Sequence, residues 1–140
     1  MKYKRVENGY FVKLEKGDEI IETLTKLCRD NYIRSGSILG IGGTDNISIK
    51  YYDLEKKEYI PKNFSGKNYE IISLNGNISS MEGIPILHIH VVIGDSDYRT
   101  YGGHLSTAVI DITSEIIINT KDNILNRKPD SEFGLNLWDL

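Results

Sequence analysis

The three histidines of this chain, His88, His90 and His104, lie close together in its second half and could bind a metal ion. His88 and His90 are separated by one residue inside an apolar stretch, Ile84 to Ile93, whose pattern indicates a β-strand. Residues two apart on a strand leave the same face, with Cβ atoms about 7 Å apart, so both imidazoles can reach one ion. His104 follows Gly102-Gly103 after a polar turn, at or near the start of the next strand.

A hairpin between the predicted strands 84–94 and 105–119 would bring His104 back beside His88 and His90. Three imidazoles that leave one coordination position open are a common ligand set for zinc and also suit other borderline divalent metals. Histidines on a sheet also occur as surface residues or as hydrogen-bonded core residues. The spacing alone therefore leaves a metal site and a structural role as alternatives.

Two carboxylates and two arginines are further candidates for chemistry. Glu70 opens an apolar strand and Glu115 lies among isoleucines, so either could serve as a general acid/base or support a ligating histidine. The alternative is that Glu115 faces solvent and Glu70 caps a strand end. Arg5 and Arg127 could bind a carboxylate or phosphate group of a ligand, although a surface role or an ion pair also fits a single arginine.

Other sites are not indicated. The glycines of residues 36–43 lack the Gly-x-Gly-x-x-Gly spacing of a nucleotide-binding loop, and close backbone approach or a β-bulge explains them better. Cys28 lies on the apolar stripe of a predicted helix, which predicts a buried and inert thiol. The 17 basic and 20 acidic residues give a net charge of −3, which argues against binding nucleic acid by bulk charge.

The elements that must position these residues are one helix and several strands. Ile20, Ile21, Leu24, Leu27 and Cys28 recur at three- and four-residue steps, which predicts an amphipathic helix. Period-two patterns predict a first strand at Lys4 to Leu14, with a bend or hairpin tip at Gly9, and further strands at 36–42, 45–53, 58–61, 69–79, 84–94 and 105–119. Turn residues between the strands predict turns at Gly42-Gly43, Glu55 to Lys57, Asn63 to Asn68, Met81 to Gly83 and Asp95 to Gly103.

Short spacers between strands favour hairpins over crossover helices. We therefore predict an α+β fold, with one main helix packed on a largely antiparallel sheet that is barrel-like or double-layered. Residues 1–140 form one domain with a core at about 4–120 and a polar C-terminal segment at 121–140. Within that segment, 121–136 is loop-like and Leu135 to Leu140 is a short strand.

The chain has one cysteine, no apolar stretch typical of a signal peptide at its start, and no run near the roughly 18 apolar residues of a membrane span. These features predict a cytoplasmic protein with no membrane contact.

Six short stretches follow one another in an order that is more specific than any one of them. They are Gly17 to Ile20, Ser37 to Gly42, Glu70 to Ile78, Pro85 to His90, Gly102 to Leu105, and Glu115-Ile116. In this order the chain resembles the plants-and-prokaryotes conserved (PPC) domain, from about Lys4 to Trp138. More distantly, the resemblance extends to the fold group of acetolactate decarboxylase, a zinc enzyme.

The resemblance implies a compact α+β domain that assembles as a homotrimer, with His88, His90 and His104 as ligands of a divalent metal, for which zinc is the first candidate. Stand-alone bacterial and archaeal members carry the label "predicted DNA-binding protein", which derives from plant members that have an AT-hook. This chain lacks the Arg-Gly-Arg-Pro sequence of that hook.

Three hypotheses follow. The first is a metal-binding PPC homotrimer whose site holds a small anionic ligand. The second is a DNA-associated regulatory or oligomerisation module, for which neither the net charge nor an AT-hook gives support. The third is a metal-dependent lyase or hydrolase that acts on a small carbonyl compound.

Overall fold

Antiparallel strands make up most of the chain, and one eleven-residue helix accompanies them. The α+β prediction is therefore loose, because the protein is mostly β. The computed structural model has the elements β1 (Lys2–Val6), β2 (Gly9–Glu15), α1 (Ile20–Asp30), β3 (Gly36–Asp53), β4 (Glu58–Met81), β5 (Ile84–Gly94), β6 (Thr100–Thr120), β7 (Arg127–Asp130) and β8 (Leu135–Trp138). No helix in it has the length and apolar character needed to cross a membrane.

Six strands form one sheet in the order β1-β2-β6-β3-β4-β5, and β5 pairs in addition with β6. Because of this extra pairing, β6, β3, β4 and β5 follow one another in a ring, while β1 and β2 extend from it as a hairpin. All of these pairings are antiparallel, as predicted. The sheet is thus partly ringed, and β7 and β8 form a separate two-stranded hairpin.

The helix packs against β5 and β6 and covers the inner face of the sheet. Its N-terminal cap, Glu19, accepts a hydrogen bond from the backbone N–H of Glu22 at 2.6 Å with one carboxylate oxygen. The other oxygen accepts a bond from the backbone N–H of Ala108 at 2.9 Å, which ties the start of the helix to β6. The predicted apolar stripe is confirmed, since the buried residues of the helix are Ile20, Leu24, Leu27 and Cys28.

Two predicted turns are wrong, because β3 runs through Gly42-Gly43 and β4 runs through Asn63 to Asn68. At the first, the pairing of β3 with β4 shifts register between Gly40 and Gly42, so a bulge takes up the irregularity without ending the strand. A Cβ atom on Gly42 would lie 2.6 Å from the Thr113 carbonyl oxygen. The alternative explanation of these glycines, a bulge with close backbone approach, is therefore correct.

The C-terminal segment contains more structure than its polar composition predicts. β7 lies within the stretch 121–136 that was predicted to be loop-like, and it pairs with β8. The predicted short strand at Leu135 is confirmed as β8, although it ends at Trp138. Polar side chains conceal β7 in the sequence because both strands of this hairpin are largely exposed.

The close approach of β6 to Gly42 predicts that an added methyl group there destabilises the fold, and the neighbouring Gly43 provides the control variant. Gly42→Ala should lower the free energy of unfolding by about 1–3 kcal/mol, because the new methyl group meets the β6 backbone. Gly43→Ala should change it by less than about 0.5 kcal/mol, since the nearest atom to its Cβ is the Tyr69 carbonyl oxygen at 3.9 Å. Urea unfolding measures both, and equal midpoints for the two variants would contradict the argument.

Candidate metal centre

The pairing of β5 with β6 brings all three histidines to one surface. Ile89 and Val91 of β5 point into the core, so His88 and His90 leave the opposite face of the strand. His90 is the direct cross-strand partner of His104, and directly paired residues project to the same side. The predicted return of His104 is therefore confirmed, although this residue lies within β6 and not before it.

The three rings surround a common point. The Nε2 atoms of His88 and His90 are 3.2 Å apart. Ring centroids are separated by 5.1 Å for His88 and His90, 5.1 Å for His88 and His104, and 5.5 Å for His90 and His104. One nitrogen from each ring lies within 4.8 Å of the other two. Zinc bound tetrahedrally at about 2.0–2.1 Å from each nitrogen needs nitrogens roughly 3.3 Å apart, a distance that the His88–His90 pair matches.

Burial favours the neutral form of the His88 and His104 imidazoles. Burial lowers the pKa of His88, and the nearby positive charges of His90 and Arg127 lower it further. The pKa of His104 is lowered to about 4, first by burial and then by the charges of His88, His90 and Lys50. A neutral imidazole keeps a free lone pair, which is the form that binds a metal.

One nitrogen of this cluster lacks a partner in the protein. Nδ1 of His104 is buried and makes no hydrogen bond. An unpaired buried polar atom costs about 1–3 kcal/mol, so such atoms in folded proteins usually have a partner of some kind. The donor set and this atom together fit a bound ion.

Four polar residues border the histidines. The ring of Tyr59 packs on His104 with 4.9 Å between centroids, and Lys50 is the cross-strand partner of His104 on β3. On the other side, Asn77 of β4 is the cross-strand partner of His88 and accepts a hydrogen bond from Nη2 of Arg127 at 3.1 Å. The structure thus brings Arg127, a residue predicted as a ligand-binding candidate, to the edge of the cluster.

The other candidates lie elsewhere. Glu70 and Glu115 are both exposed and line a shared hollow on the outer face of the sheet, and neither belongs to the histidine group. The alternative in which Glu115 faces solvent therefore agrees with its position. Arg5 lies on β1, the edge strand at the opposite end of the strand order from β5.

Sequence reasoning did not single out Lys50, Tyr59 or Asn77. Each reaches the site through strand pairing. Lys50 and Tyr59 belong to no recognisable motif, and Asn77 lies within the stretch Glu70 to Ile78 without being marked there as a site residue. Lys50 lies in the predicted strand 45–53. It could have been predicted as a neighbour of His104 only if that strand had been paired with the segment that contains His104.

Comparison with known proteins shows what this chain is similar to. Residues 1–121 match the Plants and Prokaryotes Conserved (PCC) domain. A "putative DNA-binding protein" from Bacteroides thetaiotaomicron is 34% identical, with a TM-score of 0.95 over 99% of this chain and 96% of the other. A metal-containing protein from Archaeoglobus fulgidus is 32% identical, with a TM-score of 0.87 and complete coverage of both chains.

Two weaker similarities are also present. The bifunctional protein GlmU of a Synechococcus strain is 25% identical over 128 residues, which are 89% of this chain and 19% of GlmU. This chain thus spans about a fifth of the length of the curated relative that it matches. Acetolactate decarboxylase from Bacillus subtilis has a TM-score of 0.57 at 18% identity, covering 88% of this chain and 57% of the enzyme, which shows a likeness of fold alone.

The lowered pKa of His104 predicts how stability depends on pH in protein dialysed against EDTA. The folded state binds the His104 proton only near pH 4, whereas an unfolded histidine binds it near pH 6.5. Because the unfolded chain takes up this proton first, the free energy of unfolding should fall as the pH decreases from about 6.5 to 4.

The measurement is a proton NMR titration of the imidazole Cε1–H signals beside urea unfolding at several pH values. His104→Gln should remove the His104 contribution to the slope in this pH range. A His104 signal that titrates near pH 6.5 would contradict the prediction.

Proposed function

This chain belongs to the plants-and-prokaryotes conserved domain family, and from that membership we propose that it is a metal-binding homotrimer. In each subunit His88, His90 and His104 hold one divalent ion, and zinc is the first candidate. Neutral imidazoles suit zinc better than they suit magnesium or calcium, which prefer oxygen ligands.

The observation that carries this proposal is the convergence of all three histidines of the chain on one point. A structural role would leave each ring with its own hydrogen-bond partner, whereas Nδ1 of His104 has none. His88 and His90 approach each other through their Nε2 atoms at 3.2 Å and make no other side-chain hydrogen bond. A relative at 32% identity is named as metal-containing, which is consistent with an ion in this family.

A zinc ion with three protein ligands retains one position for an outside ligand and acts there as a Lewis acid. The charged groups nearest to the histidines are Lys50 and Arg127, and both are positive. The candidates for proton transfer, Glu70 and Glu115, lie outside the histidine group. These placements favour binding of a small anion over lyase or hydrolase chemistry.

The homotrimer is supported by an apolar outer face on the single chain. Five large side chains that are between 44% and 56% exposed line one groove there: Phe11, Leu39, Ile41, Ile72 and Ile117. Outside this groove, β5 also carries two exposed large apolar residues, Ile84 and Val92. Contiguous exposed apolar surface of this kind marks an interaction site, and further copies of the chain would cover it.

DNA association is the second candidate function, and the name of the Bacteroides relative favours it. On this chain, Lys2, Lys4 and Lys13 line the same groove as the apolar residues, and Lys2 pairs with Glu15 at 2.8 Å. A groove that closes on assembly would bury these lysines, so they offer little to a DNA backbone. We therefore place metal binding first.

Elemental analysis of the untagged protein tests the metal site. After zinc supplementation and gel filtration, the wild-type protein and the Thr107→Ala control on β6 should contain about one zinc per chain. The double variant His88→Ala/His90→Ala should contain none, because one remaining imidazole does not hold the ion. Wild-type protein with well under one metal per chain would overturn the proposal.

Light scattering after size exclusion tests the trimer. The wild-type protein should have three times the 15.9 kDa mass of the chain. Ile41→Asp places a charge on the apolar face and should yield monomers, whereas Ile60→Asp, at an exposed residue outside the groove, should remain trimeric. A monomeric wild-type protein would contradict the assembly.

A further inference from the structure

The C-terminal hairpin β7–β8 lies beyond residues 1–121, which match the family, yet it reaches the histidine cluster. It is attached to the end of the sheet at two places. The backbone N–H of Ser80 on β4 donates to the carbonyl oxygen of Leu125 at 2.7 Å, just before β7. At the other end of the hairpin, the hydroxyl of Tyr52 donates to the carbonyl oxygen of Phe133.

This attachment fixes the guanidinium of Arg127 beside the cluster. Its Nε donates to Ser79 Oγ at 2.6 Å, and Nη2 donates to Asn77 Oδ1 at 3.1 Å. Nη1 donates to the carbonyl oxygen of Asn136 at 2.6 Å. Three of the five N–H groups of the guanidinium are thus used, and one remains on each terminal nitrogen. All three partners are neutral, so they orient the guanidinium without neutralising its charge.

Neither cation at the site has a carboxylate partner. No Asp or Glu oxygen lies within 4.0 Å of the side-chain nitrogens of Arg127 or of Lys50. Lys50 instead places its Nζ over the ring of Tyr59, 5.7 Å from the centroid. Arg127 and Lys50 are both partly buried, where an unpaired charge costs more than it does in water.

The positive charges at this site favour a negatively charged ligand that balances them. An ion on the three histidines would add two positive charges to those of Arg127 and Lys50, and the histidine group contains no carboxylate. Like charges in a partly buried site repel strongly, and a negative ligand is the simplest means of balancing them. The free N–H groups of Arg127 match the oxygens of a carboxylate or phosphate, which guanidinium binds with charge-assisted hydrogen bonds.

We propose that the three-histidine site binds a small oxyanion, a carboxylate or a phosphate, whose charge is shared between the metal ion and Arg127, with Lys50 as the second cation. This inference rests on the proposed metal site. It assigns the C-terminal hairpin a function, because the hairpin supplies the residue that selects for a negative ligand. Asn77 and Ser79 are the positioning residues that hold the guanidinium in place before the ligand arrives.

The test uses the full-length protein loaded with Co²⁺, whose visible absorption reports the ligands around the metal. Glycolate and inorganic phosphate are titrated separately in a buffer free of chloride, and glycolamide serves as the neutral analogue of glycolate. We expect at least one of the two anions to change the spectrum with saturation, and glycolamide to leave it unchanged. The anion that binds more tightly identifies the carboxylate or the phosphate class.

Variants separate the role of Arg127 from that of the metal. Arg127→Gln should bind Co²⁺ in the same amount as the wild type but bind the anion about tenfold or more weakly, since it loses a charged donor. Arg5→Gln, at an arginine far along the sheet order, should match the wild type. If Arg127→Gln does not fold, Lys50→Gln decides. The side chain of Lys50 makes no hydrogen bond or ion pair, and its replacement should still weaken anion binding severalfold.

The possible failures are distinguishable. Wild-type protein that binds no Co²⁺ would overturn the proposed metal site and this inference with it. Protein that binds a full complement of Co²⁺, but whose spectrum neither anion changes, would overturn the inference alone. Equal anion affinity in wild type, Arg127→Gln and Lys50→Gln would also overturn it.

Discussion

The pairing of His90 with His104 across β5 and β6 is the constraint on which the rest of the site depends. It closes the ring of four strands, and it places His104 on the face that His88 and His90 share. A slip of one residue in this register would turn His104 toward the opposite face, because successive side chains alternate. Next to this pair, the pairing of β3 with β6 shifts register between Ser48 and Ile49.

Several parts of the site were predictable from local pattern. The shared face of His88 and His90 follows from the two-residue period of a strand, and the return of His104 follows from a short hairpin. Arg127 could be named as a candidate, but its arrival beside Asn77 depends on how a polar segment attaches fifty positions away. Composition carries no information about such attachment. The turn predicted at Gly42-Gly43 was wrong for a related reason, because glycine favours a turn as well as a close approach between strands.

The positions of the two candidate carboxylates, Glu70 and Glu115, could not be predicted from the sequence. Glu70 and Glu115 have the right chemistry for proton transfer, and the sequence gives no means to decide which way they point. The fold places both in a hollow on the outer face, away from the histidines. The single chain leaves two features without a partner. One is the apolar surface on its outer face, and the other is the group of cations and imidazoles that has no counter-charge. Features that the chain does not complete by itself are where function is expected.

The most direct test of this account is anomalous diffraction from crystals of the zinc-supplemented protein, recorded on both sides of the zinc absorption edge. The account predicts one strong anomalous peak per chain, present only above the edge and located among the imidazoles of His88, His90 and His104. A map with no peak among the three rings, at full zinc supplementation, would contradict the central claim and return these histidines to a structural role.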